Sequence, residues 1–295
     1  MKKYIFFLPL IILGFTACED VVQVDLNEQD NGLYAVEAKI TTISEPTVFL
    51  ARALPVTVDS AYNGVSGAVV TITDDAQPSN MIKLVEDQDS AGYYIVPAGE
   101  KYFGKVGQNY TLTIETGNVT LTATEYLERV EKIDSIQIHP SNFGDGIFLG
   151  VFSYGLETPG KGNYYKWDIY VNDTLLNDAS TLSTYSDDLV DGKYVSGAEL
   201  YTDFYDPNKP EDRKLKYMDT VYVNQNSISK GVYEFYLAMI NQSYGGSLFS
   251  VPPANAKGNF ISSDGKTVLG MFTAQDVSQS NKVVINDSIE GMLKK

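Results

Sequence analysis

Two runs of alternating apolar and polar residues, joined by a two-residue connection, constrain the fold of this chain more than any other feature. The runs extend from Tyr110 to Thr116 and from Val119 to Thr124, with Gly117-Asn118 between them. Alternation with a period of two places one set of side chains on each face of a β-strand, and a Gly-Asn pair is typical of a tight hairpin turn. The sequence therefore predicts an antiparallel β-hairpin here.

Further short runs of this kind, rich in Tyr, Thr and Val and separated by Gly and Asn, predict a mostly β protein with two β-sandwich domains. Residues 33–128 contain enough strands for an N-terminal sandwich of Ig-like or transthyretin-like type, and Val65–Val70 resembles the start of a transthyretin-like domain. The charged segment Glu125–Asp134 is interpreted as the boundary, so that residues 129–295 form the C-terminal sandwich.

The C-terminal sandwich is predicted to carry one amphipathic helix, at about residues 229–243. Apolar residues recur there at spacings of three and four, and Ser229 is suited to cap the N-terminus of the helix. Alternation in Tyr164–Asp173 predicts a half-buried strand on which the only tryptophan, Trp167, points inward. We interpret residues 259–273 as a closing β-hairpin.

The N-terminal residues have the pattern of a lipoprotein signal. Lys2-Lys3 precede the short apolar run Tyr4–Gly14, and the only cysteine, Cys18, directly follows a small residue. This arrangement resembles a bacterial lipobox, in which the signal is removed before the cysteine and the thiol is lipidated. Residues 1–17 are thus predicted to be the signal peptide, and residues 18–32 a tether.

Two other interpretations of Cys18 stay open: a chance cysteine beside an ordinary cleavage site, and an uncleaved membrane helix. The apolar run has about eleven residues, whereas a helix needs about 20 to cross a bilayer. A lone cysteine would rarely fall at this position by chance. We therefore expect a lipid-anchored protein.

Acidic residues follow the anchor, and acidic residues dominate the chain. Glu19 and Asp20 resemble the signal that sends Bacteroidota lipoproteins to the outer face of the outer membrane, although an ordinary charged tether would look the same. The formal charge is −16 and becomes −18 once Lys2 and Lys3 are removed. Such a charge repels nucleic acid and anionic lipid. We expect an outer-membrane, surface-exposed lipoprotein without a nucleic-acid partner.

Several segments resemble, in order, a family of uncharacterised Bacteroidota outer-membrane lipoproteins, the domain of unknown function 4249 family. They are Cys18–Val22, Tyr34–Ile40, Asn163–Trp167, Ser227–Ser229 with the helix, Pro252–Asn259 and Leu269–Phe272. Lys39 departs from the Gly-Trp-like residues often found near the end of the first strand of the family. The resemblance implies an outer-membrane lipoprotein, often encoded beside a TonB-dependent transporter, and it implies no catalytic residue.

Metal and cofactor chemistry find little support in the sequence. His139 is the only histidine and Cys18 the only cysteine, so a zinc site lacks its nitrogen and sulfur ligands. The acidic loops at Asp187–Asp191 and Glu86–Asp89 do not match the EF-hand spacing, and we interpret both as solvated loops rather than calcium sites. We predict no metal, no cofactor and a structural or exposed His139.

Aromatic residues supply the remaining functional signal. The chain has 21 tyrosines, most of which are explained by the strand-forming tendency of tyrosine. Tyr201, Phe204 and Tyr205 occur in a polar stretch between predicted strands. Because exposed aromatic rings offer flat, amphipathic contacts, these three residues are the predicted contact surface.

These observations favour a non-catalytic lipoprotein that is an accessory to a TonB-dependent transporter, presenting or gating its cargo. Its expected partners are the outer membrane, through the lipid, the transporter, and a glycan or peptide ligand. A glycan-binding or adhesive surface module is one alternative. A hydrolase is another, since glycoside hydrolysis needs only two suitably spaced carboxylates.

Cys18→Ser is expected to abolish lipidation and release the protein from membranes, because serine offers no thiol for acylation. Metabolic labelling with an alkyne analogue of palmitate, followed by membrane sedimentation, measures both effects. An unlabelled wild-type protein, together with a serine variant that still sediments with membranes, would contradict the lipoprotein interpretation.

Overall fold

The computed structural model describes residues 32–53, 63–143, 146–178, 181–203, 214–243 and 256–292. The fold is mostly β, as predicted. The strands are β1 (Tyr34–Thr41), β2 (Thr47–Arg52), β3 (Asn63–Gly64), β4 (Val69–Asp74), β5 (Met81–Glu86), β6 (Tyr93–Ile95), β7 (Asn109–Thr116), β8 (Val119–Tyr126), β9 (Ile133–Phe143), β10 (Gly146–Leu156), β11 (Tyr164–Val171), β12 (Thr174–Leu175), β13 (Ser183–Ser186), β14 (Tyr194–Asp203), β15 (Thr220–Ile228), β16 (Ile261–Ser262), β17 (Val268–Gln275), β18 (Val277–Gln279) and β19 (Val283–Val284). The helices are α1 (Lys230–Ser243) and α2 (Asp287–Met292). Within the described part of the chain, neither helix is long and apolar enough to cross a membrane.

The first sandwich is formed by a ten-stranded sheet that folds over into two layers around one core. One layer has the order β6-β2-β1-β17, and the other has the order β4-β7-β8-β16. Strand β5 joins the layers, because Met81–Leu84 pairs with β4 whereas Val85-Glu86 pairs with β6. The predicted hairpin is confirmed as β7–β8, and Gly117 at its turn has a φ of 57°. A positive φ at the first central residue is what primed hairpin turns require.

The expected closing hairpin of residues 259–273 is wrong. Asp264-Gly265 does form a turn, and Gly265 has a φ of 74°. The flanking strands, however, do not pair with each other: β16 pairs with β8, and β17 pairs in parallel with β1. The turn therefore carries the chain from one layer of the first sandwich to the other. Both strands belong to the first sheet rather than to the C-terminal unit to which the sequence analysis assigned them.

The second unit is a sandwich of two smaller sheets. The sheet β14-β10-β9 faces the sheet β12-β11-β15-β18, to which β13 and β19 also pair. Its buried core includes Ile138 of β9 and Val151 of β10 from one sheet, and Ile169 of β11 and Val223 of β15 from the other. Ile289 of α2 completes this core.

Helix α1 matches the predicted helix closely. The hydroxyl of Ser229 accepts a hydrogen bond from the Val232 backbone N–H at 3.3 Å, which confirms the predicted cap. Val232 is buried with Ile228 and with Met271 of β17. Helix α1 therefore packs against strands of both sandwiches.

The chain passes directly from the first sandwich to the second at Asp276, between β17 and β18. The Asp276 carboxylate accepts hydrogen bonds from the Thr42 hydroxyl at 2.9 Å and from the Val130 backbone N–H at 3.0 Å. Its own backbone N–H donates to the Ser227 hydroxyl at 2.9 Å, and Ser227 donates to the Glu128 carbonyl at 2.7 Å. One side chain thus holds together an edge of the first sandwich and the segment that leads into the second.

The Gly-Asn end of the proline-rich segment locks β17 in place. The Asn259 amide donates to the Phe272 carbonyl at 2.8 Å and accepts from the Phe272 N–H at 3.0 Å, as a neighbouring strand would. Gly258 lies so close to Gly270 that a Cβ there would be 2.0 Å from the Gly270 carbonyl oxygen. Asn259 also donates to Glu125 at 2.7 Å, and burial raises the pKa of that carboxyl group.

Every helix, strand and core cluster of the described residues lies between Tyr34 and Met292. A chain that begins at Glu19 therefore retains all of them. This shorter chain is suitable for measurements in solution.

Asp276→Ala is expected to lower the free energy of unfolding by about 2 kcal/mol, because it leaves the Val130 N–H and the Thr42 hydroxyl without their acceptor. Urea denaturation of residues 19–295 measures the effect. Asp276→Asn should cost less, since its amide oxygen still accepts one hydrogen bond, and Asp89→Ala on an exposed loop is the matched control. Equal midpoints for Asp276→Ala and Asp89→Ala would show that this junction does not stabilise the fold.

Candidate functional site

Strand β11 has two chemically different faces. The predicted inward face is confirmed: Tyr165, Trp167 and Ile169 are buried, and Trp167 is only 8% exposed. Lys166 and Asp168 lie on the opposite face. Because side chains alternate along a strand, this one element can supply aromatic rings to one site and charged groups to another.

A cavity of about 590 Å³ lies on the Trp167 side of β11, between the two sheets of the second sandwich. Its lining is mainly apolar, and its aromatic residues are Tyr154, Tyr165, Trp167, Tyr185 and Tyr233. The volume falls within the range of about 300–1,000 Å³ that is usual for small-molecule sites. We name it the Trp167 cavity.

The pairing of β10 is irregular next to the part of this strand that lines the cavity. Its register with β14 shifts between Val151 and Phe152 and again between Ser153 and Tyr154. Gly197, opposite on β14, has a φ of 89°, and a Cβ there would lie 3.2 Å from the Tyr154 hydroxyl. Bulges bend a strand and redirect its side chains, and they are common beside functional sites.

Polar groups form a smaller part of the lining of the Trp167 cavity, and they include the carboxylates of Glu157 and Asp188. The Tyr165 hydroxyl donates a hydrogen bond to the buried Glu157 carboxylate at 2.6 Å. Burial, and then this contact with Glu157, raises the pKa of Tyr165. The Thr184 hydroxyl is buried and has no hydrogen-bond partner among the described residues. Thr184 pairs with Lys166 rather than with Trp167, so its side chain points away from the cavity.

The mouth of the cavity exposes apolar side chains to solvent. Leu189 is 86% exposed, and Leu156 and Tyr185 are about half exposed. The Tyr185 hydroxyl donates to the Glu199 carbonyl, which fixes its ring at the mouth. Contiguous exposed apolar groups of this kind are typical of ligand-binding or protein-binding surfaces.

Three carboxylates lie close together near the cavity. One of them, Asp187, is not solvated as the sequence analysis expected. Asp187, interpreted as part of a solvated loop, is fully buried and accepts hydrogen bonds from the Gly162 backbone N–H. Its oxygens, with those of Glu157 and Asp191, lie within 4.8 Å of one another, a spacing that would suit an oxygen-ligated cation. Each carboxylate nevertheless accepts a hydrogen bond from the protein, so the cluster is accounted for as a brace of the loop.

Tyr201, the predicted contact residue that the structure describes, does not line this cavity. Tyr201 lies in β14 rather than in a loop, and it is partly buried against the second core. Phe204 and Tyr205 lie outside the described residues, as do Cys18 and the export residues Glu19 and Asp20. The contact-surface prediction therefore stays a prediction.

His139 and Glu86, which the sequence analysis also considered as functional candidates, make contacts within the protein. His139 stacks on Phe152, with ring centroids 3.8 Å apart and planes 9° from parallel. Glu86, from the second acidic loop, accepts hydrogen bonds from the backbone N–H groups of Gly92 and Gly67, and the first of these contributes most to lowering its pKa.

The cavity residues other than Trp167 and Tyr165 were missed by sequence reasoning, because they come from separate strands. Leu189 was the one residue whose position in the sequence could have indicated the site. It is a large apolar residue directly after two aspartates, and a fully solvated loop gives such a side chain nothing to pack against.

The fold and the site define a class: a mostly β protein of two joined sandwiches, the second of which encloses an apolar cavity. The sequence model of one protein family, the domain of unknown function 4249 family, matches residues 19–281. The chain belongs to this family. A comparison with curated proteins gives no match.

The Trp167 cavity is expected to admit an apolar ring compound. Binding of N-phenyl-1-naphthylamine by residues 19–295 should transfer excitation energy from Trp167, the only tryptophan, to the probe. Ala198→Leu, which adds bulk to the cavity lining, should weaken binding about tenfold.

Ala91→Leu, on an exposed turn of the first sandwich, is the matched control and should bind as the wild type does. Energy transfer of equal strength and affinity in all three proteins would mean that the probe binds elsewhere.

Proposed function

We propose that this protein is a surface-exposed, lipid-anchored protein of the outer membrane that holds a small, largely apolar molecule in the Trp167 cavity and presents it to a TonB-dependent transporter. In this proposal the protein has no catalytic activity of its own. The observation that carries it is the aromatic-lined cavity of about 590 Å³ with an apolar mouth.

The cavity supports binding rather than catalysis. Two acidic residues line it, Glu157 and Asp188. Glu157 accepts hydrogen bonds from the Tyr165 hydroxyl and the Gly192 N–H, and Asp188 accepts one from the Ser186 hydroxyl at 2.7 Å, so both carboxylates are engaged by the protein. A general acid or base needs to reach the reacting atoms of a substrate. A mainly apolar lining with a smaller number of polar groups instead suits a ligand whose surface is mostly hydrophobic.

The sequence pattern at Cys18 supports membrane attachment. A single acyl chain gives only marginal binding to a bilayer, so stable anchoring requires more than one chain on the N-terminal cysteine. Attachment raises the effective concentration of the protein beside any partner in the same membrane. An accessory protein could therefore act on a transporter through a weak contact.

The exposed mouth of the cavity is the surface that we expect to meet the transporter. A photo-crosslinking amino acid in place of Leu189, introduced in living cells, should capture a TonB-dependent transporter that mass spectrometry identifies. The same group in place of Met81, an exposed residue on the first sandwich, is the control and should not.

Two results would overturn the proposal. One is that no TonB-dependent transporter is recovered from the Leu189 position. The other is equal recovery from Leu189 and Met81, since that would mean that contact does not occur through the mouth of the cavity.

A further inference from the structure

A second hollow, of about 570 Å³, lies on the charged side of β11. Its floor is formed by β11 and β15, and its walls are α1 on one side and β1 with β17 of the first sandwich on the other. We name it the Lys166 cleft. It is separated from the Trp167 cavity by the β11–β15 sheet and contains different chemistry.

A largely buried ion pair lies at the floor of the cleft. Lys166 and Asp168 contact each other, with side chains only 13% and 16% exposed. The Asn226 amide donates to Asp168 at 2.9 Å and to the Lys166 carbonyl at 3.1 Å, which fixes the pair. Burying such a pair contributes little to stability, because desolvation offsets the attraction. The ion pair instead provides polar atoms that are already held in fixed positions at the floor of the cleft.

The cleft carries no net charge. Its charged lining residues are Glu37 and Asp168, which are acidic, and Lys39 and Lys166, which are basic. Among the described residues, Asp168 is the one hydrogen-bond acceptor of the Lys166 ammonium, which has three donors. Two donors are therefore left for a ligand. A balanced site of this kind does not favour an anion, and the charge of −16 on the whole chain repels one further.

The cleft also has aromatic and amide groups in its lining, beside aliphatic residues such as Ile43, Leu176 and Met239. Phe235 and Tyr236 of α1 are partly exposed, and the Lys166 ammonium lies 5.3 Å from the centre of the Tyr236 ring. The exposed Glu37 and Lys39 of β1 add an acceptor and a donor, whereas Asn224 is buried and accepts a hydrogen bond from the Gln279 amide at 3.1 Å. The cleft therefore offers flat apolar faces beside closely spaced donors and acceptors.

We propose that the Lys166 cleft binds a neutral, polyhydroxylated ligand, namely a short oligosaccharide. A sugar ring presents C–H groups on its faces and hydroxyl groups at its edge, and each hydroxyl both donates and accepts. The aromatic side chains match the first property, and Glu37, Lys39 and the ion pair match the second. An apolar ligand would desolvate the ion pair without replacing its hydrogen bonds. This proposal does not depend on the ligand of the Trp167 cavity or on a transporter.

The test uses fluorescently labelled residues 19–295 on an array of neutral oligosaccharides, with calorimetry on the glycans that bind. Tyr236→Ala is expected to weaken binding about tenfold, because it removes one stacking face. Tyr236→Phe keeps the ring and should bind nearly as the wild type does. Glu37→Ala, at an exposed position where the fold is not at risk, should weaken binding severalfold by removing a carboxylate acceptor.

Tyr233→Ala is the matched control, because Tyr233 lies on the same helix but lines the Trp167 cavity. It should leave glycan affinity unchanged while weakening the binding of N-phenyl-1-naphthylamine. The proposal is overturned if no neutral glycan binds, if only anionic glycans bind, or if Tyr233→Ala and Tyr236→Ala lower glycan affinity equally. None of these outcomes bears on whether the cavity mouth contacts a transporter.

Discussion

The join at Asp276 is the constraint on which the rest of the structure depends. Strand β17 completes a layer of the first sandwich, and one residue later the chain enters β18 of the second. The short connection gives the two units little freedom to move apart, and the hydrogen bonds of Asp276 and Ser227 add direct links across it. The packing of α1 on Met271 strengthens the same junction.

Both hollows depend on this arrangement through β11. The strand lies beside β15 in the second sandwich, and its alternating residues face opposite sides. On one side, β10 and Trp167 line the mainly apolar cavity. On the other side, β1 and β17 approach closely enough to enclose Lys166 and Asp168. The chemical contrast between an apolar cavity and a polar cleft follows from the pleat of one strand.

Local patterns predicted the elements that local forces control. The β7–β8 hairpin, the inward face of Trp167 and the cap at Ser229 each follow from residues close together in sequence. The placement of β16 and β17 could not be predicted in the same way. The turn between them resembles a hairpin turn, but their pairing partners lie more than 130 residues earlier in the chain. A local sequence pattern does not indicate which distant strand has an edge free for pairing.

The sequence by itself determined the mostly β character, the hairpin, the helix and the relationship to a family, because each is encoded in periodicity or in short motifs. Only the tertiary structure decided which strand completes which sheet, that Asp187 is buried, and that rings from three strands and a helix surround one cavity. The physical reason is that burial and enclosure are properties of surfaces brought together over long chain separations. An aspartate such as Asp187 is solvated in an open loop, and here it is buried because the distant segment at Gly162 and Asn163 packs against it.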